Sequence, residues 1–140
     1  MDSPALVLIR HADVTPVAGN NDPVLNAAGQ ARAQALRHVL ADTGVETIFV
    51  TRFQRSRSTA RPVAADLGLT PSVIDEVDAV VAAIGDLPAP SVALVVGHTD
   101  TLPKIIAGLG GPAIPPIGAP EFDHLYVHDR RRFIHLHYGG

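Results

Sequence analysis

Two apolar runs in this chain end in histidine: Leu8-Ile9-Arg10-His11 and Val95-Val96-Gly97-His98. A third, Thr47-Ile48-Phe49-Val50, stops just before Thr51-Arg52-Phe53-Gln54-Arg55, where a helical pattern begins. Open α/β sheets bind ligands beyond the carboxyl ends of their strands, near the point where strand order reverses. Histidines distant in sequence can therefore converge there. The helix start adds free N–H groups and the positive end of a dipole, both suited to an anion. Three strand ends thus supply two histidines, at least two arginines and a helix N-terminus, which together make an anion site with nucleophilic capacity.

The chemistry that suits this combination is phosphoryl transfer through histidine. A neutral imidazole nitrogen can attack phosphorus, giving a phosphohistidine that water later hydrolyses. Guanidinium forks hold the phosphate oxygens and match the charge carried through the transition state. They also depress the histidine pKa, which keeps the ring unprotonated and able to attack. The second histidine would act mainly as an electrostatic clamp.

The elements that must position these groups can be read from the apolar pattern. Ala5 to Ile9, Thr47 to Val50 and Ser91 to Val96 are strand-sized apolar runs of the kind found in strands covered on both faces. Between them, Asn26 to Asp42 carries a helical stripe through Ala28, Ala31, Ala35, Leu36, Val39 and Leu40, with Asn26 able to cap its start and Gly44 to end it. Further helices are expected from about Arg55 to Leu67, closed by Gly68, from Asp75 to Ile84, and from Leu102 to Leu109. The stretch Gly110 to Pro120 is crowded with Gly and Pro and must be a loop, long enough to suggest function or a lid. Phe122 to His128 and Arg132 to His137 form a closing hairpin around Asp129-Arg130-Arg131. Strands alternating with helices predict an α/β fold: one three-layer α/β/α domain over residues 1–140, its sheet mostly parallel with a C-terminal antiparallel hairpin.

Composition narrows the partners. The 140-residue chain has a formal charge of −3 and no cysteine. That charge argues against a general nucleic-acid binder, and the lack of cysteine excludes a disulfide scaffold, a thiol nucleophile and any Cys-ligated metal. No apolar run approaches the ~20 residues of a membrane helix, and the start Met1-Asp2-Ser3-Pro4 lacks the basic opening of a signal peptide, so a cytoplasmic setting is expected. Of 11 basic residues only Lys104 is a lysine. Most of that skew reads as GC-rich coding, so position must decide which arginines do chemistry.

At this point the chain resembles the histidine phosphatase superfamily, which includes cofactor-dependent phosphoglycerate mutases and small phosphohistidine phosphatases. Leu8-Ile9-Arg10-His11-Ala12 is similar to the family's Arg-His-Gly/Ala signature. Leu25 to Ala33 is similar to its Leu-Thr-x-x-Gly-x-x-Gln-Ala segment, with Asn26 and Arg32 where Thr and Gln are usual. Thr51 to Ala60 resembles the Ser-Pro-x-x-Arg-Ala-x-x-Thr-Ala helix, and Val95 to His98 the second-histidine motif. The resemblance implies a phosphoglycerate mutase-like fold with His11 as nucleophile, Arg10 and Arg55 as phosphate clamps and His98 as the second histidine. It implies no cofactor. Arg32, Arg37, Arg57, Arg61 and Arg130 to Arg132 are expected to be solvated charges, while Arg52 flanks the same strand end as Arg55.

The proton donor is less defined. The family's usual acidic segment corresponds to Val73-Ile74-Asp75-Glu76-Val77-Asp78, with no Trp in the chain. Glu76 is the first candidate, Asp75 the second and Asp13 the third. Thr99 and Asn21 are further candidates for phosphate contact, although Thr99 or Asp100 would equally cap the next helix. The expected function is a metal-independent phosphatase acting on a phosphomonoester or phosphohistidine, with a phosphorylated small molecule or phosphoprotein as partner. The alternatives are a phosphate-binding module without efficient turnover and a small phosphoglycerate mutase-like phosphotransferase. Four histidines of the hairpin, His124, His128, His135 and His137, can be drawn as a metal site, but short edge strands commonly carry such residues and no metal is assigned.

Overall fold

Six strands form one sheet in the order β3-β2-β4-β1-β5-β6. These are β1 (Ala5–Arg10), β2 (Val45–Val50), β3 (Ser72–Val73), β4 (Val92–Gly97), β5 (His124–His128) and β6 (Phe133–His137). The computed structural model describes residues 4–139, so the opening Met1 to Ser3 of the sequence reading lies outside the described residues. Strands β3, β2, β4 and β1 run parallel, and β5 and β6 are antiparallel additions beside β1. Four helices cover the sheet: α1 (Ala27–Leu40), α2 (Gln54–Leu67), α3 (Val77–Gly85) and α4 (Leu102–Gly108).

The middle strands are apolar throughout because both of their faces are covered. Val7 and Ile9 of β1 pack with Leu36 and Leu40 of α1 and with Val63 and Ala64 of α2. Leu6 and Leu8, pointing the other way, pack with Val80 and Ile84 of α3 and with Leu102, Ile105 and Ile106 of α4. Alternation along a single strand thus feeds two separate cores, which gives the expected three-layer α/β/α arrangement. The chain leaves β1 through α1 on one face and leaves β4 through α4 on the other. These neighbouring strands therefore flank a switch point, where a crevice opens at their carboxyl ends.

Most expected boundaries fall within a residue or two of the observed ones. Asn26 caps α1 through its side chain, which accepts from Gly29 N at 2.9 Å, and Gly68 ends α2 in the left-handed conformation, φ 66°. Strand β3 was not anticipated. It has two exposed residues paired with β2, too short to show any period. The loop from Gly110 to Pro120 is present but is anchored rather than free, because Ile117 is buried and Ile114 packs against the α3–α4 core.

Arg32 departs from the expectation of a solvated charge. Its Nε donates to Asp13 Oδ1 at 2.6 Å and its Nη1 to the Tyr138 carbonyl at 2.7 Å. Only 12% of its side chain is exposed. The helical stripe that places Arg32 beside the buried Ala33 also turns it toward the chain that follows β1, where a carboxylate was waiting. The same region is held closely by Gly29, since a Cβ there would collide with the backbone of Asp13. Alanine would by itself favour the helix by about 1 kcal/mol. Gly29→Ala should nonetheless lower stability by about 1–3 kcal/mol through overpacking. Urea denaturation reads this directly, and an unchanged or higher midpoint would refute the close approach.

Candidate active site

The crevice is built on the pairing of β1 with β4. Arg10 lies opposite Gly97 in the parallel register, and His11 N donates to the Gly97 carbonyl at 2.9 Å, extending the ladder past the end of β1. His11 and His98 leave adjacent strands at this edge, with ring centroids 5.2 Å apart. Helix α2 is pinned beside them by two buried hydroxyls. Thr59 Oγ1 accepts from Ala12 N at 2.8 Å and donates to the Arg55 carbonyl at 2.7 Å. Ser56 Oγ accepts from Thr51 N at 3.0 Å and donates to the Val96 carbonyl at 3.2 Å. Both residues are fully buried, so the first turn of α2 is held to the ends of β1, β2 and β4 together.

Arg10, His11, Arg55 and His98 line one open cleft of about 370 Å³. Asn20, Asn21, Pro23, Thr99 and Asp100 complete much of its rim. Arg10 Nη1 donates to the carbonyls of Gly118 (3.3 Å), Ala119 (2.8 Å) and Glu121 (2.8 Å). Its guanidinium lies 3.9 Å over the Phe122 ring, while its Nε is buried without a hydrogen-bond partner. Burial lowers the Arg10 pKa, as does Arg55 nearby, with Asp13 and Glu121 offsetting part of the effect. Arg55 Nη1 donates to the Asn21 carbonyl at 3.1 Å, and its guanidinium stacks 4.3 Å over Phe53. Both arginines are thus oriented by neutral carbonyl oxygens and aromatic faces, which leave their positive charge unneutralised.

The histidines are held in their uncharged form. His11 Nδ1–H donates to the carbonyl of Ala12 at 2.8 Å, so that nitrogen carries the proton and Nε2 carries the lone pair. Burial is the main cause that pushes the His11 pKa down to about 3; the Ala12 bond opposes it, and His98, Arg10 and Arg55 add to it. His98 is lowered to about 4, by burial first and then by Arg55 and Arg10, against Asp100 and Asp75. Its Nε2 lies 2.8 Å from Thr51 Oγ1, its backbone N–H donates to Thr101 Oγ1 at 2.9 Å, and its ring meets Phe53 edge-on.

The carboxylate candidates fall outside this arrangement. Glu76 is exposed at the start of α3 and does not line the cleft. Asp75 accepts from Arg52 N at 2.8 Å and from Arg52 Nη1 at 3.2 Å. Asp13 is engaged by Arg32. Asp100 is the one carboxylate among the described residues lining the cleft. It does not cap α4, whose N-cap is Thr101. The expected helix-start donor is also partly spent, because Gln54 N already donates to Asp22 Oδ1 at 2.8 Å. Sequence reasoning missed Phe53, Phe122, Thr51 and Ser56. Only Ser56 and Thr59 left a signal, as polar residues on the buried stripe of an otherwise apolar helix face.

This fold has counterparts among known proteins. The model of the histidine phosphatase superfamily (branch 1) matches residues 6–78, and the chain belongs to that superfamily. Among solved structures, a SixA protein from Agrobacterium tumefaciens, assigned as a phosphohistidine phosphatase, superposes with a TM-score of 0.72 at 22% identity, covering 96% of each chain. The protein histidine phosphatase SixA complexed with tungstate gives 0.73 at 20% identity over 88% of this chain and 86% of that one. A mycobacterial glucosyl-3-phosphoglycerate phosphatase gives 0.69 at 14% identity over 87% and 89%. No curated protein sequence matches the chain, and no helix among the described residues is long and apolar enough to cross a membrane.

The lowered histidines carry a definite sign for stability. Between about 3 and the ordinary value of 6.5 the unfolded chain binds a proton at His11 that the folded chain does not, so folding stability falls as pH drops through that window. His98 acts in the same direction down to about 4. The urea midpoint should therefore decline from pH 7 to pH 4.5, and ring resonances of His11 and His98 should not titrate between pH 8 and 5.5. An NMR titration step near pH 6.5 at either ring would contradict the buried, neutral assignment.

Proposed function

We propose that the chain is a metal-independent phosphatase that works through a phosphohistidine on His11. The observation that carries this reading is the fixed tautomer of His11: its Nδ1–H is committed to the Ala12 carbonyl, so Nε2 offers a lone pair between two guanidinium groups. Nε2 attacks phosphorus as the bond to the leaving group breaks, and the phosphoryl group passes to the ring. Water then attacks phosphorus, the P–N bond breaks and Nε2 regains its lone pair. Arg10 contributes its positive charge and Arg55 its fork to the phosphate oxygens. Asn21 and Thr99 line the same rim and would give secondary contacts. An anion beside His98 favours its protonated form, so His98 takes up a proton as phosphate enters and closes the clamp.

The leaving group follows from the carboxylates. With Glu76 in solvent and Asp75 and Asp13 paired to arginines, no carboxylate buried in the cleft is poised as a general acid. A leaving group that departs easily, such as the imidazole of a phosphohistidine, suits this site better than an alkoxide. The two SixA proteins are described as a phosphohistidine phosphatase and a protein histidine phosphatase, which supports this reading. The open cleft suits an exposed phosphate on a small molecule or a phosphoprotein, and the reading carries a cytoplasmic setting with it.

Rapid-quench labelling tests the intermediate. The native protein should hold acid-labile, base-stable phosphate on His11, and His11→Ala should release no phosphate from p-nitrophenyl phosphate or a phosphohistidine peptide. Label on another residue, or phosphate binding without His11-dependent release, would replace this reading with a different nucleophile or with a binding module. For the leaving group, a general acid is worth about 10²–10⁴-fold. Glu76→Gln should leave kcat within about twofold on every substrate, far inside that range. Asp100→Asn should cost no more on an alkyl phosphate than on a phosphohistidine peptide. A large loss in Glu76→Gln would restore that residue as proton donor.

A further inference from the structure

The hairpin of β5 and β6 carries a second concentration of chemistry that phosphoryl transfer does not use. His124 lies opposite His137 in the antiparallel register, and His135 is its diagonal neighbour two residues back along β6. All three project from the face that also carries Tyr126, whose buried ring stacks against His124 and His135. Ring centroids lie 4.9 Å apart for His124 and His135, 5.0 Å for His124 and His137, and 4.9 Å for His135 and His137. One ring nitrogen from each can be chosen so that all three lie within 4.8 Å of one another. The fourth histidine of the sequence pattern, His128, is elsewhere: its Nε2 faces the Leu109 carbonyl at 3.3 Å.

We propose that His124, His135 and His137 form a binding site for a divalent d-block cation of the zinc type. Three neutral imidazoles are a donor set that such ions take from proteins, at metal–nitrogen distances of about 2.0–2.1 Å. The chosen nitrogens already stand within 4.8 Å of one another, on rings that the hairpin holds together. Two of the rings have the outer carboxylate that metal-binding histidines use to fix tautomer and orientation. His137 Nδ1 lies 3.2 Å from Asp123 Oδ2, and His124 Nε2 lies 3.5 Å from Glu121 Oε1. With those nitrogens turned to carboxylates, His137 presents Nε2 and His124 presents Nδ1, the atom that already faces His135 Nε2 at 2.7 Å. Water or a carboxylate would complete four-coordination, because His135 and His137 are exposed. None of the three lines the phosphate cleft.

The test uses the full chain without an affinity tag, stripped of metal and titrated with ZnCl₂ by calorimetry at pH 7.5. One equivalent should bind. His135→Ala should weaken it at least tenfold, and His135→Ala/His137→Ala should abolish the stoichiometric phase while far-UV circular dichroism stays native. Asp123→Asn should cost about 10–100-fold, as loss of an outer carboxylate does. His11→Ala should retain the full equivalent, because the cleft is a different place. In the unmodified chain, zinc should shift the ring resonances of His124, His135 and His137 before those of His11 and His98, a readout independent of how the variants fold. Absence of saturable uptake, one equivalent surviving in the double variant, or first shifts at His11 and His98 would each overturn the site.

Discussion

Everything at the cleft depends on the register of β1 against β4. Successive side chains of a strand point to opposite faces, so Arg10 and His11 diverge by construction: Arg10 turns toward the α3–α4 side and His11 toward the α1–α2 side. The pairing of Arg10 with Gly97 puts the end of one strand level with the end of the other, and so brings His98 beside His11. A slip of one residue would exchange the two faces of β1 along its whole length, driving Arg10 into the core and His11 out of the cleft. Val7 and Ile9 in one core and Leu6 and Leu8 in the other make that slip prohibitively expensive. The geometry of the cleft is thus enforced by apolar packing along the strand rather than by contacts within the site.

A second regularity concerns the arginines. Two of those outside the cleft are neutralised by carboxylates: Arg32 by Asp13 and Arg52 by Asp75. The two that enter it are held by carbonyl oxygens, Arg10 by the segment from Gly118 to Glu121 and Arg55 by Asn21. A carbonyl can orient a guanidinium without cancelling its charge, whereas a carboxylate does both. Arg10 and Arg55 thereby keep positive charge to offer an anion, Arg10 with part of it offset by Asp13 and Glu121. The same field, added to burial, discourages protonation of His11 and His98, so the positive charge at the site resides on groups that cannot act as nucleophiles and the lone pair on one that can.

The strand ends were legible because continuous apolar runs stopping at Arg10-His11 and Gly97-His98 leave few other readings. Position at a helix start offered both Arg52 and Arg55, and the family resemblance singled out Arg55. What stayed hidden was non-local. Phe122 lies far along the chain from Arg10, yet supplies the face under its guanidinium. Thr51 meets His98 only because β2 lies next to β4. Arg32 was misjudged because a helical stripe says which side a residue takes but not that a carboxylate waits there. The Gly- and Pro-rich stretch was read as a loop with a function or a lid because composition reports backbone freedom, whereas its anchoring by Ile117 and Arg10 is a matter of tertiary contact. Glu76 failed to reach the cleft for a simpler reason: Asp75, one residue earlier, turns toward Arg52, and the chain enters α3 directly after Glu76.

The segment leading into β5 joins the two chemically active regions. Glu121 gives its backbone oxygen to Arg10 and brings its carboxylate near His124, while the next residue, Phe122, stacks against Arg10. Because β5 runs antiparallel to β1, its first residue stands at the same edge of the sheet as the last residue of β1. Arg10 and His124 therefore share an edge and a face, with Glu121 between them. The hairpin is thus more than an edge cover for the sheet. It places Glu121 and Phe122 against Arg10, and the orientation of that guanidinium depends on how firmly the short stretch is held.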